Sequence, residues 1–112
     1  MALDDWYLGT TKSFSGTISL SGSAPDISGD TVTIRLKSSR DDADASAVLS
    51  KDADVATSGA SGIYEMTVLP ADSASLTAGK YWYDIEWATA GGANYILEIG
   101  EVELMPRVSD VP

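Results

Sequence analysis

The chemistry open to this chain is confined to carboxylates, hydroxyls and aromatic rings. Histidine and cysteine are both absent, which removes the commonest general base, the usual nucleophile triads and most zinc, iron and copper ligation. Carboxylates are what remains for acid–base work. Asp84 and Glu86 sit two positions apart in an alternating stretch, so both project from one face of one strand. Glycoside hydrolysis requires two carboxyl groups on opposite walls of a cleft, roughly 5 to 9.5 Å apart. Neighbours on a single strand face do not make two walls, and the pair reads as a solvated polar surface.

A second acidic group has Asp41, Asp42 and Asp44, with Asp52 and Asp54 across a turn. These could supply oxygen ligands to a hard cation such as calcium. Their spacing lacks the glycine and the distal bidentate glutamate of a helix–loop–helix calcium loop, so a charged surface loop is the simpler account. Glycine-rich phosphate cradles are missing as well, because Gly59, Gly62, Gly91 and Gly92 precede strands rather than helices. No cofactor and no metal are expected.

Trp82 is the aromatic candidate. If Tyr81, Tyr83, Ile85 and Trp87 point inward, Trp82 points outward, where a large ring is unusual unless something covers it. Three readings follow: Trp6, Tyr7 and Leu8 of the N-terminal segment fold over it, a subunit contact buries it, or it stacks a sugar ring. Trp6, Tyr7, Leu8 and Trp82 are therefore the expected interaction surface.

Strands must position these groups, since the dominant apolar period is two. Residues 12–20 carry Phe14, Ile18 and Leu20 with Gly16 on the same side. Residues 31–37 give the cleanest alternation, Val32, Ile34 and Leu36 against Thr33, Arg35 and Lys37. A weaker strand over residues 46–51 belongs at an edge. Residues 63–69 place Tyr64, Met66 and Val68 on one wall, and Pro70 ends that run. A short helical turn is expected near 70–78, with Leu76 plugging the core and Gly79 stopping it. Tyr81, Tyr83, Ile85 and Trp87 then lead through a turn at residues 90–93, where Gly91 and Gly92 can both take positive φ. The return strand is apolar at Tyr95, Leu97 and Ile99 and then at Val102 and Leu104. The inward parity changes at Gly100, which is the expected site of a β-bulge.

About six or seven short strands with a turn every ~8 to 12 residues predict a mostly antiparallel, all-β two-sheet sandwich. Its expected extent is residues 11–105, between an N-terminal extension over 1–10 and a tail over 106–112. With 112 residues the count is one domain. The 17 acidic residues against 7 basic give a net charge of -10, a field that repels phosphate backbones and disfavours nucleic acid as a partner. Residues 1–10 carry Asp4 and Asp5 where a signal peptide needs a basic start and an apolar run. No stretch approaches the ~20 apolar residues that span a bilayer, so no membrane partner is expected.

The order of residues also resembles a known type. Gly9, Thr10, Thr11, Lys12, Ser13 and Phe14 are followed by Ser28, Gly29, Asp30, Thr31 and Val32, then Gly62, Ile63, Tyr64 and Glu65. Leu76, Thr77, Ala78, Gly79, Lys80 and Tyr81 come next, and Leu97, Glu98, Ile99 and Gly100 close the pattern. This is similar to the small immunoglobulin-like accessory domains of tailed-phage virions, such as the N-terminal-type domain of baseplate upper proteins and related head or tail proteins. The resemblance runs over nearly the whole chain, but its motifs are turn and strand punctuation rather than chemistry. It implies an immunoglobulin-like fold and a non-enzymatic bacteriophage virion protein, assembled in the host cytoplasm, that contacts other virion proteins or copies of itself as a homo-oligomer. The alternative is a carbohydrate-binding β-sandwich that recognises cell-surface glycans, for which Trp82, Trp87 and the tyrosines are the motive.

Overall fold

The computed structural model describes residues 5–106. Seven strands and one helical turn follow in the order β1 Trp6–Tyr7, β2 Lys12–Thr17, β3 Thr31–Lys37, β4 Leu49–Asp52, β5 Ile63–Val68, α1 Pro70–Ser73, β6 Gly79–Ala88 and β7 Asn94–Met105. They form a five-stranded sheet of order β1-β7-β6-β3-β4 and a two-stranded sheet of β2 and β5. All pairs are antiparallel except β1 with β7. The fold is thus the all-β, sandwich-like architecture that the alternating pattern predicts.

The alternation does what periodicity requires. Val32, Ile34 and Leu36 of β3, Tyr81, Tyr83, Ile85 and Trp87 of β6, and Tyr64, Met66 and Val68 of β5 are all buried and line one continuous core. Burying such side chains stabilises the fold by about 1.5 to 3 kcal/mol each. β4 lies at the sheet edge, as expected of its charged sequence, and starts at Leu49 because a tight 3-10 turn over Asp44–Ser46 uses up the preceding residues. Beyond β4 the chain changes sheets: Asp54 N–H donates to Glu65 C=O at 2.7 Å and Glu65 N–H returns to Asp54 C=O at 3.0 Å. That bridge closes one side of the sandwich.

The helical turn is shorter than the predicted 70–78. It is held by Asp72, whose Oδ2 accepts the Leu69 N–H at 2.7 Å and pairs with Lys51 Nζ at 2.7 Å. Leu76 is partly buried against the core as anticipated. The 89–93 turn is closed by Gly92 N–H to Thr89 C=O at 3.0 Å, and only Gly92 of the two glycines takes positive φ, at 96°.

Two expectations need correction. Residues 6–8 are not an extension lying over Trp82. β1 pairs with Leu104 and Met105, while Trp6 and Leu8 are buried in the core. Burying two large apolar side chains outweighs covering one exposed ring. Tyr7, between them, stays exposed. The bulge also lies elsewhere: Ile85 pairs with Glu98 and Glu86 with Ile96, leaving Leu97 as the extra residue. Gly100 keeps regular register opposite Tyr83, whose ring comes within 3.2 Å of where a Cβ would stand. Gly100 is there to admit an aromatic ring, and the parity change happens three residues earlier. The predicted tail beyond Pro106 lies outside the described residues, as do Asp4 and the start of the chain.

Candidate functional site

The outer face of the five-stranded sheet gathers most of the residues singled out above. Odd-numbered Thr33, Arg35 and Lys37 of β3 lie beside Glu86, Asp84 and Trp82 of β6, which in turn face Ile96, Ile99 and Glu101 of β7. Each position follows from the same alternation that sends the neighbouring residue into the core.

Charges on this face are mutually engaged. Arg35 Nη1 donates to Glu86 Oε1 at 2.8 Å, and this bond holds the guanidinium pKa above its ordinary value. Lys37 Nζ reaches Asp44 Oδ1 and the Asp42 carbonyl, both at 2.8 Å. Arg40 stands over the Trp82 ring, its Cζ 5.1 Å from the centroid, a cation–π contact. Trp82 is therefore covered in part, but by Arg40 rather than by Trp6, Tyr7 and Leu8. One face of the indole is occupied where a sugar ring would have to stack.

Asp84 is the odd member. Its Oδ1 is buried with no hydrogen-bond partner among the described residues, beside a gap of about 30 Å³ lined by Arg35, Lys37, Arg40, Trp82 and Ile99. Burial pushes its carboxyl pKa up, against the pull of Arg35 and Lys37. The gap has room for a water molecule and not for a substrate, since ligand pockets span about 300 to 1,000 Å³. Glu86 is held by Arg35, so Asp84 and Glu86 share a face without facing each other across a cleft.

The acidic loop residues are spread out. Asp42 Oδ2 accepts from Ser39 N–H at 3.2 Å, and Asp52 Oδ1 accepts from Thr33 Oγ1 at 2.8 Å. Asp54 accepts from Ala56 N–H at 2.9 Å and Thr57 Oγ1 at 2.7 Å, bonds that hold its carboxyl pKa low. Asp44 is likewise lowered, chiefly by Lys37. Asp41 is exposed. Among the described residues no three acidic side chains converge as a ligand set. Nor is any described helix long and apolar enough to cross a membrane.

Two features escaped the sequence reading. A cleft of about 450 Å³ opens between β2 and β7, with Gly16, Ile18, Tyr64, Ile85, Leu97 and Glu98 on its walls. Tyr83 Oη donates to Glu98 Oε2 there at 2.5 Å, while Tyr64 is raised in pKa mainly by burial and secondarily by the Glu98 charge. The Tyr64 ring occupies the space a Cβ at Gly16 would need. The second feature is apolar: Ile96 is 56% and Ile99 55% exposed on the outer face, and Tyr95, stacked on Trp87 at 4.9 Å, is also exposed. The run Tyr95-Ile96-Leu97 carried the signal, since three successive apolar residues on one strand cannot all point inward.

Asp30 locks this hairpin in place. Its Oδ2 accepts the Trp87 indole N–H at 2.8 Å, and its Oδ1 accepts the Ala90 N–H at 2.9 Å. One carboxylate thus ties the loop before β3 to both the core ring and the turn that leads into β7. No protein-family model and no curated protein matches the chain.

Proposed function

We propose that this chain is a non-enzymatic structural component of a bacteriophage particle, acting through protein–protein contacts. The observation that carries the reading is the exposed pair Ile96 and Ile99 on the sheet face that also carries Trp82, in a domain whose net charge is -10. Apolar side chains gathered on one face of so acidic a domain mark an interaction site, and Trp and Arg together are what such sites favour. The resemblance of the glycine, tyrosine and strand punctuation to immunoglobulin-like virion accessory domains supplies the biological setting. Within it, the partners are other virion proteins or further copies of the chain, and the location is the virion, assembled in the host cytoplasm.

Mass spectrometry across a density gradient of the phage that encodes the chain tests this. The protein is expected to band with the particle at a constant ratio to the other virion proteins. Presence only in the soluble lysate overturns the reading. Specific signals on a glycan array, lost in Trp82→Ala, favour the carbohydrate-binding alternative.

A further inference from the structure

We infer that the open edge of β7 is a docking site for an extended, basic segment of another protein, added as a sheet strand. β7 pairs with β6 along its length, but on its other side β1 meets it only at Leu104 and Met105. Among the described residues no strand pairs with the stretch 94–102 on that side. An edge of this kind presents a row of backbone donors and acceptors that template a further strand.

The side chains define what that strand carries. Because Leu97 is the bulged residue, Ile96 and Ile99 share the outer face, opposite Glu86 and Asp84 respectively. An added strand therefore needs apolar residues beside these two positions. Its charged neighbours on that stretch are acidic: Glu98, on the inner face, where it accepts from Tyr83 Oη, and Glu101 on the outer face, with Asp5 and Glu103 further along bordering a cleft of about 270 Å³ that holds one lysine, Lys80. Basic residues opposite Glu98 and Glu101 complete the match, in the repeating order basic, neutral, apolar, basic, apolar, neutral.

The same charges reject a second copy. The antiparallel two-fold pairing that matches faces sets Ile96 beside Ile99 of the other chain and Tyr95 over Gly100. With the bulged Leu97 skipped in both strands, that register brings Glu98 against Glu98, between chains that each carry a net charge of -10. Like charges directly opposed in a sheet are destabilising. The acidic residues thus guard the edge against self-association and select a basic partner in one arrangement.

This inference rests on the assembly reading and names the chemistry of the partner, and its test needs no particle. A capped peptide Lys-Thr-Val-Lys-Val-Thr is titrated into the full chain and followed by amide NMR. Three comparisons accompany it: a peptide with Glu for each Lys, a peptide with alternate backbone nitrogens methylated, and light scattering of the protein alone. The expected result is shifts confined to residues 94–102 and their β6 neighbours, with about tenfold weaker binding for the Glu peptide and for the methylated one. Ile96→Ser and Ile99→Ser lose the binding, while Leu69→Ser, exposed between the end of β5 and the helical turn, keeps it. Glu101→Lys shifts the preference toward the Glu peptide. Shifts outside the edge, equal binding of the methylated peptide, or dimerisation without peptide binding would each overturn the inference. Particle gradients separate this failure from that of the assembly reading: a chain that bands with virions while its edge ignores the peptide joins the particle by another surface.

Discussion

Replacing Asp30 by alanine removes the tie that holds the β6–β7 hairpin against the rest of the sandwich. Two hydrogen bonds are lost, from Trp87 Nε1 at 2.8 Å and from Ala90 N–H at 2.9 Å. Bonds to a charged acceptor are worth about 1.5 to 3 kcal/mol where partly buried, as at the indole, and about 0.5 to 1.5 kcal/mol where solvent competes, as at Ala90. The variant leaves the indole N–H of a buried tryptophan without its acceptor, so the sum is expected to appear as about 2 to 4.5 kcal/mol. Asp30→Asn keeps one oxygen acceptor and loses about half of that. For a domain of this size each kcal/mol moves the melting temperature by roughly 3 to 6 °C. Urea unfolding followed by tryptophan fluorescence measures both variants. Losses below 0.5 kcal/mol for Asp30→Ala, or an Asn variant as unstable as the Ala variant, would refute the assignment of Asp30 as the hairpin anchor.

Three further outcomes follow. Ile34, fully buried in the central strand β3 and paired with Ile85, costs about 2 to 5 kcal/mol when cut to Ala, whereas Ile99→Ala on the exposed face stays within about 0.5 kcal/mol; equal melting temperatures would overturn the inner and outer assignment. Asp84→Asn gains stability at neutral pH, because burial raises the Asp84 pKa in the folded state above its ordinary carboxylate value. Between those two pKa values the native state holds a proton that the unfolded chain releases, so the parent loses stability as pH rises through that window and the advantage of Asn vanishes below it; a difference that ignores pH contradicts the burial of Oδ1. Arg40→Ala removes the cation over Trp82 and costs about 0.5 to 1 kcal/mol at most, with a shift in indole emission as the second readout; unchanged emission would mean that the ring is not covered by Arg40.

How much of this was legible follows from the range of the interactions involved. The walls of β3, β5 and β6 were readable because each is specified by its own period-two pattern, and Gly62, read as preceding a strand, leads into β5 with φ 75°. The bulge was misplaced because apolar parity asks for Ile99 inside, with Tyr95 and Leu97, whereas the slip at Leu97 turns Ile99 out, 55% exposed. The choice is made by Tyr83, which must lie over a residue without a side chain. Trp6 and Leu8 were sent to the wrong place because their partners, Leu104 and Met105, are remote in sequence and parallel, and no local turn announces such a pairing. The same mistake hid the candidate site. With β1 confined to the end of β7, Trp82 falls to Arg40 and the edge beside Ile96 and Ile99 is left open among the described residues.

The central claim is the proposal made above, that the chain is a virion component bound through the Ile96 and Ile99 face, and complementation in a phage that carries its gene tests it most directly. Particles made with the parent chain and with the Ile96→Ser, Ile99→Ser double variant are purified and the protein in each is quantified against the other virion proteins. Both substituted positions are more than half exposed, so the variant is expected to fold with a melting temperature close to the parent's. The account predicts that the parent is retained and the folded variant is lost from the particle. Equal incorporation of the two would contradict it.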